Sequence, residues 1–269
     1  MSLTLAIILL LSLVVFITHA LEAITGFGCT VLAFPFVIAI TGDIGYSKII
    51  LTIIAWALAL YFVITKFKWI NWRQFIVIFG LAAVGLPIGI WIFDKMLNMT
   101  APVDMTVFGH TFSMEAKKIL TKALGVFIVF SAGVQLWKIF TPKRAAGGGA
   151  NKFSPFNYAY LFFGGIVHGA FATGGPLVVL YSTKKLTDKG EFRATMCLLW
   201  TLLNTWLIAD FFRKGMLTHD VGKGLLYLLP ALALGIVTGE IVHHRVNELL
   251  FRKIVFLVLF AVGVVMVIY

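Results

Sequence analysis

Two short polar stretches interrupt apolar segments of this 269-residue chain, and both contain residue types that can bind anions or carry protons. The first runs from His19 to Gly28 and the second from His168 to Pro176. Each has a histidine followed by a threonine and glycines, so the two stretches align with one gap. Matching interruptions in two halves of a chain are the best sequence indication of a transporter's binding site.

The tip of each stretch is a sequence that breaks a helix. Glycine weakens a helix, and proline removes a backbone donor and collides with the preceding turn. Backbone groups freed inside a membrane must be buried in protein or line a wet cavity. We therefore expect helices to begin near Gly28 and at Gly175 or Pro176, with unpaired N–H groups pointing at the breaks.

Helix starts of this kind bind anions, because they combine free N–H donors with partial positive charge. The hydroxyl groups of the two threonines would add donors. The alternative is that the glycines only permit close helix packing, as small residues often do in membranes. The two tips together predict a site for a small anion with several oxygens, formed by Thr25, Gly26, Phe27, Gly28, Thr173, Gly174, Gly175 and Pro176.

Three ionisable residues precede the tips and are candidates for proton coupling. Glu22 follows His19 by three residues and therefore lies on the same helix face. Ionisable groups inside a membrane usually face a pathway, and histidine titrates near neutral pH. Glu22 is the best single candidate for a proton carrier. The alternative for His19 and His168 is a hydrogen bond to a backbone carbonyl freed by the break.

Polar and aromatic residues of other segments could complete the cavity. The alternative for the tryptophans is packing or anchoring at the membrane interface. The candidates for cavity lining are Trp56, Trp200, Asn204 and Trp206. Two further carboxylates, Asp210 and Glu240, lie near segment ends and are expected to form interfacial pairs with Arg213 and His243.

The composition places these residues in a membrane. Hydrophobic residues make up 61% of the chain and charged residues only 12%. Several apolar runs reach about 18 residues, the length of a membrane-spanning helix. The net charge of +11 is interpreted as basic cytoplasmic loops rather than as a nucleic-acid surface. The predicted fold class is an all-α polytopic membrane protein.

The apolar segments repeat. The predicted organisation is one transmembrane domain with repeat one at 1–140, a basic glycine-rich linker at 141–154 and repeat two at 155–269. Each repeat has a broken segment and three spans. The predicted segments are Leu3–Ile24, Thr30–Ile40, Ile49–Thr65, Phe75–Phe93, Ile119–Trp137, Phe156–Tyr181, Phe192–Phe212, Leu225–Val242 and Leu250–Ile268.

The second broken segment is too short for two full crossings. A helix from Phe156 to Ala172 would be about 25 Å long and one from Pro176 to Tyr181 about 10 Å, against a hydrocarbon core of about 30 Å. Two possibilities remain for this segment: a re-entrant hairpin or a single broken span. If both broken segments are hairpins, each repeat crosses the membrane three times. Because three is an odd number, the two repeats then have opposite orientations in the membrane.

Inversion also places most of the 22 Lys and Arg residues on the cytoplasmic side. That count assigns Lys48 to an outside loop and Arg193 to an inside loop. The positive-inside rule therefore favours inverted repeats.

The motifs resemble those of the sulfite exporter TauE/SafE family. The resemblance rests on Gly26-Phe27-Gly28, Pro35, the basic linker and the sequence His-Gly-x-x-x-Thr-Gly-Gly-Pro at 168–176. It covers nearly the whole chain. In place of the family's more glycine-rich first break, this chain has Gly28-Cys29-Thr30. The resemblance implies a multi-pass carrier of the bacterial inner membrane for sulfite, sulfoacetate or related sulfur-containing anions.

Two other classes of protein compete with this interpretation. An intramembrane enzyme could use His19, Glu22 and His168 as metal ligands. The chain contains no His-Glu-x-x-His, Gly-x-Ser-x-Gly or nucleotide-binding loop, so we expect no enzyme, metal or cofactor, and no ATP-driven transport. A passive anion channel is closer to a transporter in mechanism than an enzyme is, and it stays open as the second alternative.

The sequence therefore favours a proton-linked secondary transporter of small oxyanions that works by alternating access. Its expected partners are the anion and the lipid bilayer, without nucleic acid. The direction of transport and the oligomeric state stay open.

Overall fold

The computed structural model describes residues 4–26, 28–99, 102–107, 110–141, 156–242 and 248–268. These residues form α-helices and one β-hairpin. The helices are α1 (Leu5–Thr25), α2 (Cys29–Thr41), α3 (Ile44–Lys66), α4 (Trp72–Leu97), α5 (Ala116–Phe140), α6 (Phe156–Phe171), α7 (Gly175–Lys185), α8 (Lys189–Arg213), α9 (His219–Val242) and α10 (Glu248–Ile268). The strands β1 (Val103–Val107) and β2 (His110–Met114) pair antiparallel.

The all-α polytopic fold class is confirmed. Among the described residues, six helices are long and apolar enough to cross a membrane, by length and composition: α1, α3, α4, α5, α8 and α9. Each unbroken predicted segment corresponds to one helix, with ends that differ by up to six residues, and the predicted segment Phe156–Tyr181 corresponds to two helices. The broken segments correspond to α1 with α2 and to α6 with α7. The predicted linker lies outside the described residues, apart from Thr141.

Aspartate side chains begin α3 and α8, the two equivalent helices of the predicted repeats. The Asp43 carboxylate accepts hydrogen bonds from the N–H groups of Gly45 and Tyr46, at 2.8 and 3.0 Å. The Asp188 carboxylate accepts from the N–H of Glu191, at 2.9 Å. Each cap satisfies backbone donors that have no partner within the helix. These caps fix where α3 and α8 start.

The second break folds back on itself. Lys184 Nζ donates to Asn157 Oδ1 at 2.8 Å, which joins the end of α7 to the beginning of α6. Nearer the tip, a Cβ atom at Gly164 would lie only 2.8 Å from Val178 Cγ2. The order of these contacts shows that α6 and α7 run antiparallel. They form a hairpin rather than one interrupted span. In the first break, α2 likewise packs against α1.

Equivalent helices of the two predicted repeats also pack antiparallel. In α3 and α8, the contacts pair the start of one helix with the end of the other. These contacts are Lys48 with the ring of Phe211, Trp56 with Thr205, and Phe62 with Arg193. In α5 and α10 the same order holds for Gly125 with Met266, Ile128 with Gly263, and Phe140 with Lys253.

Glycines let two pairs of helices touch through their backbones. A Cβ atom at Gly85 of α4 would overlap the carbonyl oxygen of Phe162 in α6, and one at Gly165 would overlap that of Ala82. A Cβ atom at Gly235 of α9 would lie 3.0 Å from the carbonyl oxygen of Phe16 in α1. The first helix of each broken segment thus lies against a glycine-bearing helix of the other predicted repeat.

The chain divides into two compact units that do not follow the repeats. One unit comprises Met1–Gly89 and Pro155–Val246, and the other comprises Ile90–Ser154 and Asn247–Tyr269. Both breaks and both equivalent helices α3 and α8 belong to the first unit. Everything that forms the site below therefore lies within one compact unit.

Two basic residues that the charge count assigned to loops lie inside helices. Lys48 belongs to α3 and is 1% exposed, and Arg193 belongs to α8 and is 9% exposed. The loop assignment was wrong because the aspartate caps start both helices one turn earlier than the apolar pattern does. Neither charge belongs in a count of loop residues.

Candidate anion site

A pocket lies between the two breaks in the first unit. It is formed by the ends of both hairpins together with the middle of α3 and α8. The volume open to the centre of a water molecule is ≈ 20 Å³. The lining residues are Glu22, Gly28, Thr30, Val31, Ala55, His168, Ala172, Thr173, Gly175, Trp200 and Asn204.

The N-terminus of α7 opens into this pocket. α6 ends where the Ala172 N–H donates to the His168 carbonyl at 2.7 Å, and Ala172 adopts a positive φ of 55°. α7 then starts at Gly175, and no side chain of the described residues caps it. Pro176 follows at the first turn, where its missing N–H costs nothing. Free backbone donors and the positive helix end therefore face the cavity.

The hydroxyl of Thr173 is available at the same place. Thr173 is 1% exposed, and its Oγ1 has no hydrogen-bond partner among the described residues. Buried polar groups normally have partners, and an unpaired one costs about 1–3 kcal/mol. An oxygen-bearing ligand at the start of α7 would satisfy it. Thr173 is thus a second, independent indication of a ligand beside the helix end.

The N-terminus of α2 is occupied by a carboxylate of the protein itself. Gly28 precedes α2 in a left-handed conformation with φ 105°, and the Cys29 N–H donates to Glu22 Oε2 at 3.3 Å. Glu22 is 3% exposed and lines the pocket. A negative group at a helix N-terminus is favourable. The chain therefore already holds one anionic group where the sequence predicted that an anion would bind.

His168 connects the pocket to α8. Its Nε2 lies 3.0 Å from Asn204 Oδ1, and its ring stacks on Trp200 with centroids 5.3 Å apart. His168 Nδ1 is buried and has no partner within the described part of the chain. Three predicted residues, His168, Trp200 and Asn204, are thus brought together on one wall.

The two predicted tips differ in how their residues are used. Gly28, Thr173 and Gly175 line the pocket. Gly26 and Gly174 are instead needed for packing. A Cβ atom at Gly26 would lie 2.9 Å from Arg193 Cα, and one at Gly174 would overlap the Gly164 carbonyl.

Other predicted residues lie beside the pocket without lining it. Thr25 is the last residue of α1, and its hydroxyl donates to the Leu21 carbonyl at 2.9 Å. His19 is fully buried, and its Nδ1 lies 2.8 Å from the Val15 carbonyl oxygen. Val15 lies inside α1, so its carbonyl is not one that the break frees. Pro176 is likewise outside the lining, and Phe27 lies outside the described residues.

The two remaining tryptophans are not in the pocket lining either. Trp56 Nε1 donates to Thr205 Oγ1 at 2.9 Å and joins α3 to α8. Trp206 is 44% exposed on the surface of α8. Both fit the alternative of packing or anchoring in the membrane.

One expected interfacial pair is found, and the other involves a residue outside the described part of the chain. Asp210 Oδ1 lies 3.8 Å from Arg213 Nη2, as expected, and Lys214 also pairs with Asp210. Glu240 Oε1 lies 3.5 Å from Arg193 Nη2. The predicted partner of Glu240, His243, lies outside the described residues.

Sequence reasoning missed Lys48 and Arg193. A signal was present in the sequence Asp-x-Gly-x-x-basic, which occurs at 43–48 and again at 188–193. The aspartate starts each helix and the basic residue comes one turn later on the buried face. Pocket residues Thr30, Val31, Ala55 and Ala172 were also missed, since no local motif marks them.

Gly175→Ala is expected to reduce anion affinity by about tenfold without destabilising the protein. The added Cβ would lie 3.8 Å from Trp200 Cζ2, which is an ordinary contact, but it would take up space at the start of α7. Isothermal titration of purified protein measures the affinity. The matched control is Gly222→Ala on α9, where nothing lies within 4 Å of the new atom. Equal affinity in both variants would place the anion elsewhere.

The structure is that of a helical membrane protein with a pocket between two hairpin breaks. A family model described as Sulfite exporter TauE/SafE matches residues 11–266. The chain therefore belongs to the sulfite exporter TauE/SafE family, and it is a membrane transport protein of the class that handles sulfite-type anions. No curated protein and no solved structure matches the chain.

Proposed function

We propose that this protein is a secondary transporter that carries small sulfur-containing oxyanions, such as sulfite, sulfoacetate or related sulfonates, across the bacterial inner membrane by alternating access. Family membership supports an anion of the sulfite kind. The observation that carries the proposal is the uncapped start of α7 in the pocket, with the unpartnered Thr173 hydroxyl beside it. A sulfur oxyanion offers several acceptor oxygens to these donors.

The position of the pocket supports a mechanism that includes a conformational change. Residues of both breaks and of the middle of α3 and α8 line it, so the pocket lies where the two predicted repeats meet. In alternating access, the parts around such a site move to expose it first to one side of the membrane and then to the other. Hairpins that enclose a central site suit rocking of one part against another.

The two halves are proposed to be inverted. Antiparallel packing supports this arrangement, since α3 lies against α8 and α5 against α10, each pair being equivalent helices of the two repeats. In such an arrangement, the linker at 141–154 is cytoplasmic and Tyr269 is periplasmic. Two similar halves of opposite orientation give two states of similar energy, which alternating access requires.

Proton linkage is proposed to follow from competition at the start of α2. The Glu22 carboxylate accepts from the Cys29 N–H, so the ionised side chain occupies the donor and repels a second anion. Protonation of Glu22 removes this charge repulsion and weakens the hydrogen bond that its carboxylate accepts from the Cys29 N–H. One proton and one anion would then enter the pocket together.

Thr173→Val is expected to weaken anion binding by about tenfold or more, since a hydrogen bond to a charged group contributes roughly 1.5–3 kcal/mol. The measurement is the affinity of purified protein for sulfite, sulfate, thiosulfate and small sulfonates. Thr183→Val is the matched control, because its hydroxyl donates to the Val179 carbonyl of its own helix at 2.8 Å. Thr173→Ser keeps the hydroxyl and should bind nearly normally.

Two outcomes would contradict the proposal. If the unmodified protein bound none of these anions, the substrate class would be wrong. If it bound them but Thr173→Val matched Thr183→Val, the site would be wrong. Accumulation of the anion against its gradient in proteoliposomes separates a carrier from a passive channel.

A further inference from the structure

Two buried cations occupy equivalent places in the two halves of the molecule. Lys48 is the fifth residue of α3 and Arg193 the fifth residue of α8, and each follows a capping aspartate and a glycine. Lys48 is 1% exposed and the Arg193 side chain 11% exposed. Burying a charge is costly unless its partners compensate. Neither residue lines the pocket, so the proposed binding site does not account for them.

Each cation lies against the break of the opposite half. Lys48 Nζ donates to the Gly169 carbonyl at 2.7 Å, in the last turn of α6. A cation is favourable there, because a helix C-terminus carries partial negative charge. On the other side, the Arg193 backbone lies so close to Gly26 that a Cβ atom there would be 2.9 Å from Arg193 Cα. Gly26 ends α1, as Ala172 ends α6.

The side chains also cross between α3 and α8 in a reciprocal manner. Lys48 Nζ lies 5.7 Å from the ring centre of Phe211 near the end of α8. The Arg193 guanidinium lies 3.9 Å from the ring centre of Phe62 near the end of α3. Arg193 also pairs with Glu240 of α9 at 3.5 Å. Each cation thus ties the start of one helix to the far end of its partner.

The pocket lies between these two contacts. Lys48 and Phe62 are about 21 Å apart along α3 at 1.5 Å per residue, and the pocket residue Ala55 is midway between them. In α8, the pocket residue Asn204 lies between Arg193 and Phe211. The two cations therefore mark opposite ends of the helix pair, with the proposed substrate site in the middle.

We propose that Lys48 and Arg193 are positioning residues that hold the two breaks closed at opposite ends of the pocket. Lys48 holds the α6–α7 break directly through the Gly169 carbonyl. Arg193 acts at the other end by fixing the start of α8 to Phe62 of α3 and Glu240 of α9, and Gly26 of the α1–α2 break packs on that part of α8. Release of one contact opens the pocket to one side of the membrane while the other keeps the opposite side closed. This inference rests on the proposed alternating access, and in the inverted topology Lys48 faces the periplasm and Arg193 the cytoplasm.

The test measures from which side a pocket cysteine can be labelled. The reporter is Ala55→Cys in a chain with Cys29→Ala and Cys197→Ala, reacted with a membrane-impermeant maleimide in vesicles of either orientation. Lys48→Met is expected to raise the labelling rate about tenfold from the periplasmic side only. Arg193→Met should do so from the cytoplasmic side only. Lys48→Arg and Arg193→Lys keep the charge and should restore slow labelling.

Two results would overturn the proposal: labelling that rises from the same side in both variants, or labelling that stays unchanged in folded, monodisperse protein. If either methionine variant does not fold, Lys48→Gln and Arg193→Gln replace them, with the same expected sidedness. If Lys48 and Arg193 only stabilised the fold, their methionine variants would have lower thermal stability, and labelling would show no preference for one side of the membrane. No substrate is added, so the outcome is independent of whether the anions named above bind.

Discussion

Replacing Glu22 by glutamine is expected to abolish transport driven by a pH gradient while leaving exchange of the bound anion intact. Glutamine has the same shape, and its carbonyl oxygen can still accept from the Cys29 N–H, but it is neutral at every pH. Two unit charges about 4 Å apart repel by roughly 4 kcal/mol at an effective dielectric constant of about 20. Anion affinity should therefore rise by about two orders of magnitude or more at high pH.

The direction in which anion affinity changes with pH follows from the competition between the Glu22 carboxylate and the anion at the start of α2. In the unmodified protein, anion affinity should rise as pH falls, because protonation removes the negative charge beside the start of α2. In Glu22→Gln, affinity should be high and nearly independent of pH. The titratable groups around Glu22 are the thiols of Cys29 and Cys197 and the imidazoles of His19 and His168, with Arg193 nearer the start of α8.

The measurements are anion affinity across a pH series and uptake into proteoliposomes with and without an imposed pH gradient. Asp210→Asn is the control, since Asp210 is a buried carboxylate paired with Arg213 away from the pocket. Normal pH dependence in Glu22→Gln would assign coupling to another group. His168→Gln would then be the next variant, because His168 is the pocket's other ionisable side chain on α6.

Gly85→Ala is expected to destabilise the protein strongly. The new Cβ would overlap the Phe162 carbonyl oxygen and lie 2.9 Å from the Ile166 backbone nitrogen, so neither neighbour can move as a flexible side chain would. Separating α4 from α6 would loosen the hairpin that carries Thr173. Overpacking costs about 1–3 kcal/mol in ordinary cores, and a contact between two backbones should reach or exceed the upper value.

Thermal unfolding in detergent measures this effect, and the fraction of protein that stays monodisperse is monitored as the temperature rises. The matched control is Gly80→Ala on the same helix, where nothing lies within 4 Å of the added atom. That change should raise helix stability slightly, by roughly 0.5–1 kcal/mol. Opposite signs for the two variants are expected. Equal unfolding temperatures would show that α4 and α6 do not depend on this close contact.

The predicted membrane spans and breaks were found because they depend on local properties. Apolar runs bounded by polar residues specify spanning helices wherever the chain folds. Gly26 to Gly28 and Thr173 to Pro176 interrupt helices because glycine and proline constrain their own backbone. The start of α7 at Gly175 follows from the same cause.

The roles of individual residues within the tips could not be predicted from spacing. The threonines at positions 25 and 173 are equivalent in sequence, yet Thr25 donates to its own helix and Thr173 has a buried hydroxyl open to the pocket. The difference arises because α1 continues through Thr25, whereas α6 ends before Thr173. Two glycines in the tips likewise serve packing, because the neighbouring backbone happens to approach them.

By itself, then, the sequence determined the membrane class, the position of both breaks and the presence of Glu22 beside one of them. Those features arise from interactions within a few residues of the chain. Only the tertiary structure decided that the Glu22 carboxylate occupies the start of α2, that His168 meets Asn204, and that Lys48 and Arg193 are buried against opposite breaks. Each of these contacts joins groups brought together by helix packing, and the spacing of residues along one helix carries no information about the neighbour that will lie against it.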